Sequence, residues 1–287
     1  MKGTRPRIGV IGYGMMGRTL ASIWAADGYD VRATRRTRAW KPDDPAIAAA
    51  ASNAMLVRES DVVVLCVKPH DVASVGAEIA PWLEPRHVVL SIAAGLTITE
   101  LRRACTSRPR LARAMPAMTA RSRASMTSYA VEDRATERIV LPLLRACGEV
   151  IRIDERHFDV ATVLAASGPA LVLAAAEGMC DAALREGLPL SLARRMVMHA
   201  FIGTARLVLD GMHPALVRES IATPGGCTIE ALAVLEGAGV RAAYAQAVHA
   251  GRGRLSGGIE SNHRAPPIVT FPDAGLSNGN EKIFSAT

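Results

Sequence analysis

Residues 8–17 read Ile8-Gly9-Val10-Ile11-Gly12-Tyr13-Gly14-Met15-Met16-Gly17. The apolar residues before Gly12 predict a buried β-strand, and the apolar spacing after Met15 predicts a helix. The pattern GxGxxG is weak by itself, but between a strand and a helix it is typical of a dinucleotide-binding turn. Its glycines permit the tight turn, let the backbone approach a pyrophosphate and allow the helix to pack on the strand. We therefore predict that the six residues from Gly12 to Gly17 contact a dinucleotide, against the alternative of an ordinary glycine-rich turn.

The end of the second predicted strand carries a hydroxyl group and guanidinium groups. Thr34, Arg35 and Arg36 stand where an NAD-specific site usually has Asp or Glu for the ribose hydroxyls. Arginine can instead bind a 2′-phosphate through two N–H groups. We therefore expect NADPH as the cofactor, with NADH as the alternative, although the same arginines also fit a solvated surface.

The chain around the glycine motif alternates short β-type runs with helical stretches, which is typical of a parallel sheet with crossover helices. The predicted strands are 7–12, 30–35, 61–67, 87–92, 110–115, 125–130 and 149–153. The predicted helices are 15–27, 44–57, 71–83, 98–104 and 135–146. Residues 1–154 are therefore expected to form a Rossmann-like, doubly wound α/β domain that binds the dinucleotide.

Beyond about residue 155 the strand signals end. Segments rich in Ala, Leu, Val and Met follow at 169–186, 191–209, 214–221, 229–236 and 240–252, each bounded by Gly or Pro. Several are apolar on nearly all sides, which favours helices buried between subunits. We expect residues 155–254 to form an all-α substrate and dimerisation domain in a homodimer or larger homo-oligomer. Residues 255–287, rich in Gly, Ser, Asn and Pro, are expected to form a flexible tail.

Composition excludes several other classes of protein. The chain has 34 Lys and Arg against 27 Asp and Glu, but the arginines are scattered and only 4% of residues are aromatic, which argues against nucleic-acid binding. No apolar run approaches the roughly 20 residues that cross a bilayer, and no leader pattern is present, so we expect a cytoplasmic protein without membrane contact. The five cysteines lie far apart and predict no metal site.

Five further motifs resemble those of the pyrroline-5-carboxylate reductase family. In chain order they are Val67-Lys68-Pro69-His70, Ser91-Ile92-Ala93-Ala94-Gly95, Arg113-Ala114-Met115-Pro116, Ser167-Gly168-Pro169-Ala170 and Thr223-Pro224-Gly225-Gly226-Cys227-Thr228-Ile229. The first three follow or end predicted strands, where doubly wound sheets bind ligands. The resemblance implies that the cofactor is contacted by Val67, Lys68, Pro69, Ala93, Ala94, Gly95, Met115 and Pro116.

The last two motifs are the most specific, and the resemblance implies that they bind the substrate. The implied substrate-binding residues are Ser167, Gly168, Thr223, Gly225, Gly226, Cys227 and Thr228. Ser167 is also predicted to cap the start of a helix whose free N–H groups could receive a carboxylate. In the resembled family the Thr that matches Thr228 hydrogen-bonds the ring nitrogen, so Thr228 is the predicted catalytic residue.

The implied reaction is the NAD(P)H-dependent reduction of 1-pyrroline-5-carboxylate to L-proline, by hydride transfer to the C=N carbon. The chain is therefore expected to be an oxidoreductase of proline biosynthesis that acts on a small cyclic imine carboxylate. It departs from the family at Ala117, Met118, Ala166 and Leu171, which replace Asn, Thr, Gly and an aromatic residue. Two alternatives stay open: a reductase of another cyclic imine acid in specialised metabolism, and a cofactor-binding protein with little catalysis.

Overall fold

An eight-stranded sheet forms the first part of the chain. In the computed structural model, which describes residues 5–36, 40–106 and 108–256, its strand order is β3-β2-β1-β4-β5-β6-β7-β8. The strands are β1 (Ile8–Ile11), β2 (Val31–Thr34), β3 (Ile47–Ala49), β4 (Val62–Leu65), β5 (Val88–Ser91), β6 (Arg110–Met115), β7 (Ser125–Val131) and β8 (Gly148–Arg152). Neighbouring strands are parallel except for β6 and β7, which are antiparallel. The order reverses at β1, as in a doubly wound sheet, which confirms the predicted fold class.

Helices cover both faces of this sheet. They are α1 (Met15–Ala26), α2 (Asn53–Arg58), α3 (Val72–Ile79), α4 (Ile98–Cys105) and α5 (Arg134–Arg145). Because side chains alternate along a strand, Val62 and Val64 of β4 pack in the core that contains Trp24 and Leu143, whereas Val63 and Leu65 pack in the opposite core with Leu56 and Leu101. The all-apolar sequence of β4 follows from this two-sided burial.

The prediction of one helix over residues 44–57 is wrong. Residues Ile47–Ala49 form β3, which pairs with β2 at the edge of the sheet, and the backbone N–H of Ala50 continues the pairing with a 2.9 Å bond to the carbonyl of Ala33. A short helix α2 then begins after Ser52, whose hydroxyl accepts from the Met55 N–H at 3.2 Å. The alanine run favours a helix locally, but pairing with β2 overrides that weak preference.

The second part of the chain is helical, in agreement with the predicted all-α region. Its elements are α6 (Phe158–Thr162), a π-helical turn (Val163–Ser167), α7 (Gly168–Arg185), α8 (Leu190–Leu209), α9 (Pro214–Ile221), α10 (Cys227–Gly237) and α11 (Val240–Ser256). Helix α11 folds back on α6 and the π turn, where Gly251 packs against Val163, and it ends with Leu255 beside Gly95. It extends past the predicted boundary at Arg254, and residues 257–287 of the predicted tail lie outside the described residues.

The helical part exposes a large apolar surface in the single chain. Leu209 is 84% exposed and Val234 is 72% exposed, and many other apolar side chains of α7 to α10 are exposed as well. Among the described residues, one segment, Glu155–Arg185, is long and apolar enough to cross a membrane, and 17% of its most apolar window is buried. Length and composition are weak grounds for a membrane span, because a helix that packs against other protein passes the same test. Apolar side chains exposed together on neighbouring helices are typical of a contact surface.

Candidate cofactor cleft and active site

The three glycines of the turn between β1 and α1 have different structural roles. Gly12 has φ = +100°, and a Cβ there would lie 2.7 Å from the carbonyl oxygen of Cys66. A Cβ at Gly17 would overlap the carbonyl oxygen of Gly12, so the start of α1 packs directly on the end of β1. At Gly14 a Cβ would meet nothing within 4 Å, which leaves the amino end of α1 open. These are the features of a turn that admits a pyrophosphate to a helix N-terminus.

A cleft of about 900 Å³ lies at the carboxyl ends of the central strands, next to this turn. Thirteen of the predicted cofactor residues line it: Gly12, Tyr13, Gly14, Met15, Met16, Thr34, Arg35, Arg36, Val67, Lys68, Pro69, Ala93 and Ala94. Four others do not line it, namely Gly17, Gly95, Met115 and Pro116. Of these, Met115 and Pro116 are buried, and Gly95 faces Leu255 of α11.

One end of the cleft is polar. The Thr34 hydroxyl donates to Oδ1 of Asn53 at 2.6 Å, and Nδ2 of Asn53 donates to Oε2 of Glu78 at 3.0 Å. Arg35 and Arg36 are exposed at the same end. The guanidinium groups suit a phosphate, whereas Glu78 is an acid of the kind that accepts from ribose hydroxyls. This end therefore carries groups for both types of dinucleotide, with two positive charges against one negative charge.

The other end of the cleft is apolar, with Ile92, Ala93, Ala94 and Met118 in its lining. The side chain of Met118 is 40% exposed, and it is supplied by a short 3₁₀ turn, Met118–Ser122, that follows β6. Ala117 is buried, and its backbone N–H donates to the Ser125 hydroxyl at 2.9 Å. Two of the four departures from the resembled family, Ala117 and Met118, thus leave this end of the cleft without a polar side chain from these positions.

Two side chains in the cleft lining beside the glycine turn, Tyr13 and Cys66, have raised pKa values. Burial, together with the carboxylate of Asp43, raises the pKa of Tyr13 to about 12, and its ring packs on Trp40 with centroids 4.8 Å apart. Burial raises the pKa of the Cys66 thiol, so Cys66 is not a thiolate nucleophile at neutral pH. The described residues hold no cluster of three His, Cys, Asp or Glu side chains that would bind a metal ion.

Ser167 does not cap a helix, so that part of the prediction is wrong. It has α-helical angles, φ −93° and ψ −24°, and its side chain makes no capping bond. It is the last residue of the π turn that joins α6 to α7, so the helix passes through this position rather than beginning there. Pro169 lacks an N–H group, and the wider π turn just before it accommodates the missing bond. A helix N-terminus that could receive a carboxylate is therefore not present at Ser167.

The second glycine-rich turn does precede a helix. Gly225 has φ = +67°, the N–H of Gly226 donates to the carbonyl of Thr223 at 3.0 Å, and α10 starts at Cys227 without a side-chain cap. Thr228 in the first turn of α10 lines an apolar cavity of about 710 Å³ with residues of α8 and α9. Neither Ser167, Gly168 nor the turn at 223–228 lines the cofactor cleft of the same chain.

Several residues of the cleft lining were missed by reasoning from sequence. The polar ones are Asn53, Asp71, Ser74 and Glu78. Asn53 was placed in the middle of a helix over 44–57, whereas it is the first residue of α2. The pair Ser52-Asn53 could have indicated that a helix starts here, because both residue types favour helix starts. Glu78 carried no signal, since an acid on α3 fits a solvated helix face equally well.

Both parts of the chain match known protein families. Residues 155–256 match the pyrroline-5-carboxylate reductase dimerisation family, and residues 7–95 match the family described as NADP oxidoreductase, coenzyme F420-dependent. The chain is 34% identical over 203 residues to pyrroline-5-carboxylate reductase 3 of Macaca fascicularis, which covers 69% of this chain and 74% of that protein. It is 32% identical over 260 residues to pyrroline-5-carboxylate reductase 2 of Bos taurus, with 85% and 81% covered.

Solved structures agree with this assignment. A pyrroline carboxylate reductase of Plasmodium falciparum with NADP bound superposes with a TM-score of 0.82 at 25% identity, over 88% of this chain and 97% of that one. The pyrroline-5-carboxylate reductase of Coxiella burnetii superposes with a TM-score of 0.78 at 28% identity, over 88% and 98%. With the identities above, these matches show that the chain belongs to the pyrroline-5-carboxylate reductase family.

Proposed function

We propose that this chain reduces 1-pyrroline-5-carboxylate to L-proline with a reduced nicotinamide cofactor. The observation that carries the proposal is the cleft beside the glycine turn. The chain matches pyrroline-5-carboxylate reductases over most of their length. The open space at Gly14 and the close packing at Gly12 and Gly17 fit a bound pyrophosphate. When bound, the cofactor supplies the hydride. The protein binds and orients the two reacting rings and excludes water from them.

Different residues of the cleft are proposed to contact different parts of the cofactor. Residues 12–17 would hold the pyrophosphate, and Thr34, Arg35 and Arg36 would hold the 2′-phosphate of NADPH, which supports NADPH over NADH as the preferred cofactor. Glu78 favours NADH instead, because its carboxylate repels a phosphate and accepts a hydrogen bond from a ribose hydroxyl. Ala93 and Ala94 are small enough for the nicotinamide ring to lie against the backbone.

The substrate contacts are proposed to come from the turn at 223–228 and from Thr228. The free N–H groups of this turn suit a carboxylate, and the Thr228 hydroxyl suits the ring nitrogen. A neutral hydroxyl can orient that nitrogen but is a poor acid, so the proton is expected from water or from a substrate that is already an iminium ion. Ser167 and Gly168, in the π turn and at the start of α7, are proposed as further contacts.

Because this turn and the cofactor cleft do not share a cavity within one chain, we infer that a second copy supplies the turn. The match to a dimerisation family and the exposed apolar faces of α7 to α10 support a homo-oligomer. The division into a cofactor domain at 1–154 and a substrate and dimerisation domain at 155–254 follows the same reasoning. A cytoplasmic location remains a prediction.

A related reductase of another cyclic imine acid is the second candidate. Met118 and Ala117 favour it, since a cleft end without polar side chains at these positions differs from that of the resembled family. Both candidates require turnover of an imine. The third alternative, a cofactor-binding protein with little catalysis, requires binding alone.

The test is NADPH oxidation by the purified protein with 1-pyrroline-5-carboxylate and with piperideine carboxylates, which have a larger ring. We expect turnover with the five-membered ring and a lower KM for NADPH than for NADH. Thr228→Ala should lower kcat by about tenfold or more, while Thr228→Ser, which keeps the hydroxyl, should retain most of it. Faster turnover of the larger ring would favour the second candidate. NADPH binding without turnover of any imine would contradict both.

A further inference from the structure

A buried arginine that is not in the lining of the cofactor cleft lies close to one end of it. The side chain of Arg113, on β6, is 4% exposed, and its guanidinium stacks on the ring of Phe158 with Cζ 3.8 Å from the ring centroid. Its Nη1 donates to Oε1 of Glu155 at 3.1 Å. Nε and Nη2 are buried without a hydrogen-bond partner among the described residues. An arginine of this kind is expensive to bury, so its position calls for an explanation.

Glu155 connects Arg113 to a third segment. The same oxygen, Oε1, also accepts from the backbone N–H of Ile98 at 2.7 Å. Ile98 is the first residue of α4 and follows residues 93–97, which begin at the apolar end of the cofactor cleft. Glu155 itself opens the helical part of the chain. One carboxylate oxygen thus joins the sheet, the segment beside the cleft and the start of the helices.

Apolar packing connects the same three segments. Phe158 is fully buried with Met115 and Ala130, and Ala94 and Ala166 pack against this cluster. Ala94 lines the cofactor cleft, whereas Ala166 lies in the π turn next to Ser167. The guanidinium of Arg113 therefore lies where the cleft and the helical part meet.

Stability alone does not explain this arrangement. Replacing a buried ion pair by apolar side chains of similar volume is often neutral or stabilising, since both charges lose their hydration. Burial lowers the pKa of Arg113, and the hydrogen bond to Glu155 opposes that effect. A fixed, directional contact among three segments does, however, define their relative position in a way that apolar packing does not.

We propose that Arg113 is a positioning residue that acts through Glu155 and Phe158. It holds the start of α6 against residues 93–98, and so fixes the apolar end of the cofactor cleft relative to the helical part of the same chain, against which the second copy that supplies the substrate turn would pack. The proposal rests on the proposed function, because it is the distance between cofactor and substrate that Arg113 would set. Misplacement of reacting groups by about 1 Å can lower a rate by about 100-fold.

The test compares Arg113→Met, Arg113→Lys and Glu155→Ala with the wild type. We expect Arg113→Met and Glu155→Ala each to lower kcat by about tenfold or more, with the dissociation constant for NADPH, measured by fluorescence, nearly unchanged. The double variant should be no slower than the slower single variant, because both changes remove the same link. Arg113→Lys keeps the charge but not the planar stacking, and should recover part of the lost kcat.

Arg7→Met is the matched control. Arg7 pairs with Asp61 through two side-chain bonds, of 3.0 and 3.2 Å, at the amino ends of β1 and β4, whereas the cofactor cleft lies at the carboxyl ends of the strands, so this variant should keep the wild-type kcat. Hydrogen exchange gives a readout without turnover: the Ile98 amide should exchange faster in Arg113→Met and Glu155→Ala than in the control.

A wild type inactive on every imine would contradict the proposed function, and the exchange data would still test the contact of Arg113 with Ile98 through Glu155. Multiplicative losses in the double variant, or unchanged exchange at Ile98, would overturn the positioning role.

Discussion

At the scale of single residues, Gly14 separates cofactor binding from folding. A Cβ at Gly14 would meet nothing within 4 Å, and its φ of −83° suits any residue. Gly14→Ala should therefore fold with an unchanged melting temperature. The added methyl group would, however, occupy the space through which a pyrophosphate approaches the backbone. We expect the dissociation constant for NADPH to rise by about tenfold, or about 1.4 kcal/mol, in a fluorescence titration.

Gly12→Ala is the matched comparison for that measurement. Its φ of +100° and the nearby Cys66 carbonyl mean that a Cβ there strains the turn itself. This variant should lose both NADPH binding and thermal stability. If Gly14→Ala lowered the melting temperature as much as Gly12→Ala, then Gly14 would be needed for folding and its role in admitting a phosphate would lose its support.

The residues of the cleft could be predicted where a local motif carried them. The glycine turn, Thr34 to Arg36 and the motif at Val67 to Pro69 each follow a strand, and strand ends meet at one edge of the sheet. Asn53 and Glu78 come from helices, and their position depends on how β3, α2 and α3 pack. No pattern within the chain encodes that packing, so the sequence alone did not indicate that they line the cleft.

At the scale of elements, α4 depends on a capping box at its start. The Thr97 hydroxyl accepts from the N–H of Glu100 at 3.1 Å, and the Glu100 carboxylate accepts from the Thr97 N–H at 2.7 Å. Thr97→Ala should lower the free energy of unfolding by about 1 kcal/mol in urea, whereas Thr97→Ser should stay close to the wild type.

The contribution of this cap should depend on pH. Hydrogen bonds from Thr97 lower the pKa of Glu100 in the folded protein. A carboxylate with a lowered pKa stabilises the fold above its unfolded pKa, and that contribution is lost as pH falls through the folded pKa. The stability difference between the wild type and Thr97→Ala should therefore be larger at pH 7 than below about pH 4, near the usual pKa of Glu. A difference that grows on acidification would contradict this assignment.

Elements were predictable where local and global preferences agreed. The runs that became β1, β4 and β5 are apolar and short, and both features fit buried parallel strands. Two predictions were wrong because the local sequence did not determine the structure there. β3 is an alanine-rich segment held by pairing with β2, and the sequence at Ser167 reads as a helix start although α6 and the π turn precede it without a break.

At the scale of the whole molecule, the doubly wound sheet was predictable from the alternation of strands and helices, since handed crossovers leave few other topologies. The helical part was predictable as a class but not as a shape. Apart from a small buried cluster of Ala176, Cys180 and Val197, its helices expose apolar side chains that a single chain does not cover, so a core of their own does not determine their arrangement.

The assembly is testable through Val234, which is 72% exposed on the same helix as Thr228. A charge buried in an interface costs several kcal/mol when it is unpaired. Val234→Glu should therefore reduce the mass in light scattering to that of one chain, abolish imine reduction and leave NADPH binding intact, because the cofactor cleft is built entirely from residues 11–118. Met55→Glu, at an exposed apolar position on α2, should change neither mass nor turnover. A single-chain Val234→Glu protein with full turnover would mean that Thr228 meets the cofactor within its own chain or is not needed, and the second copy would then have no part in the chemistry.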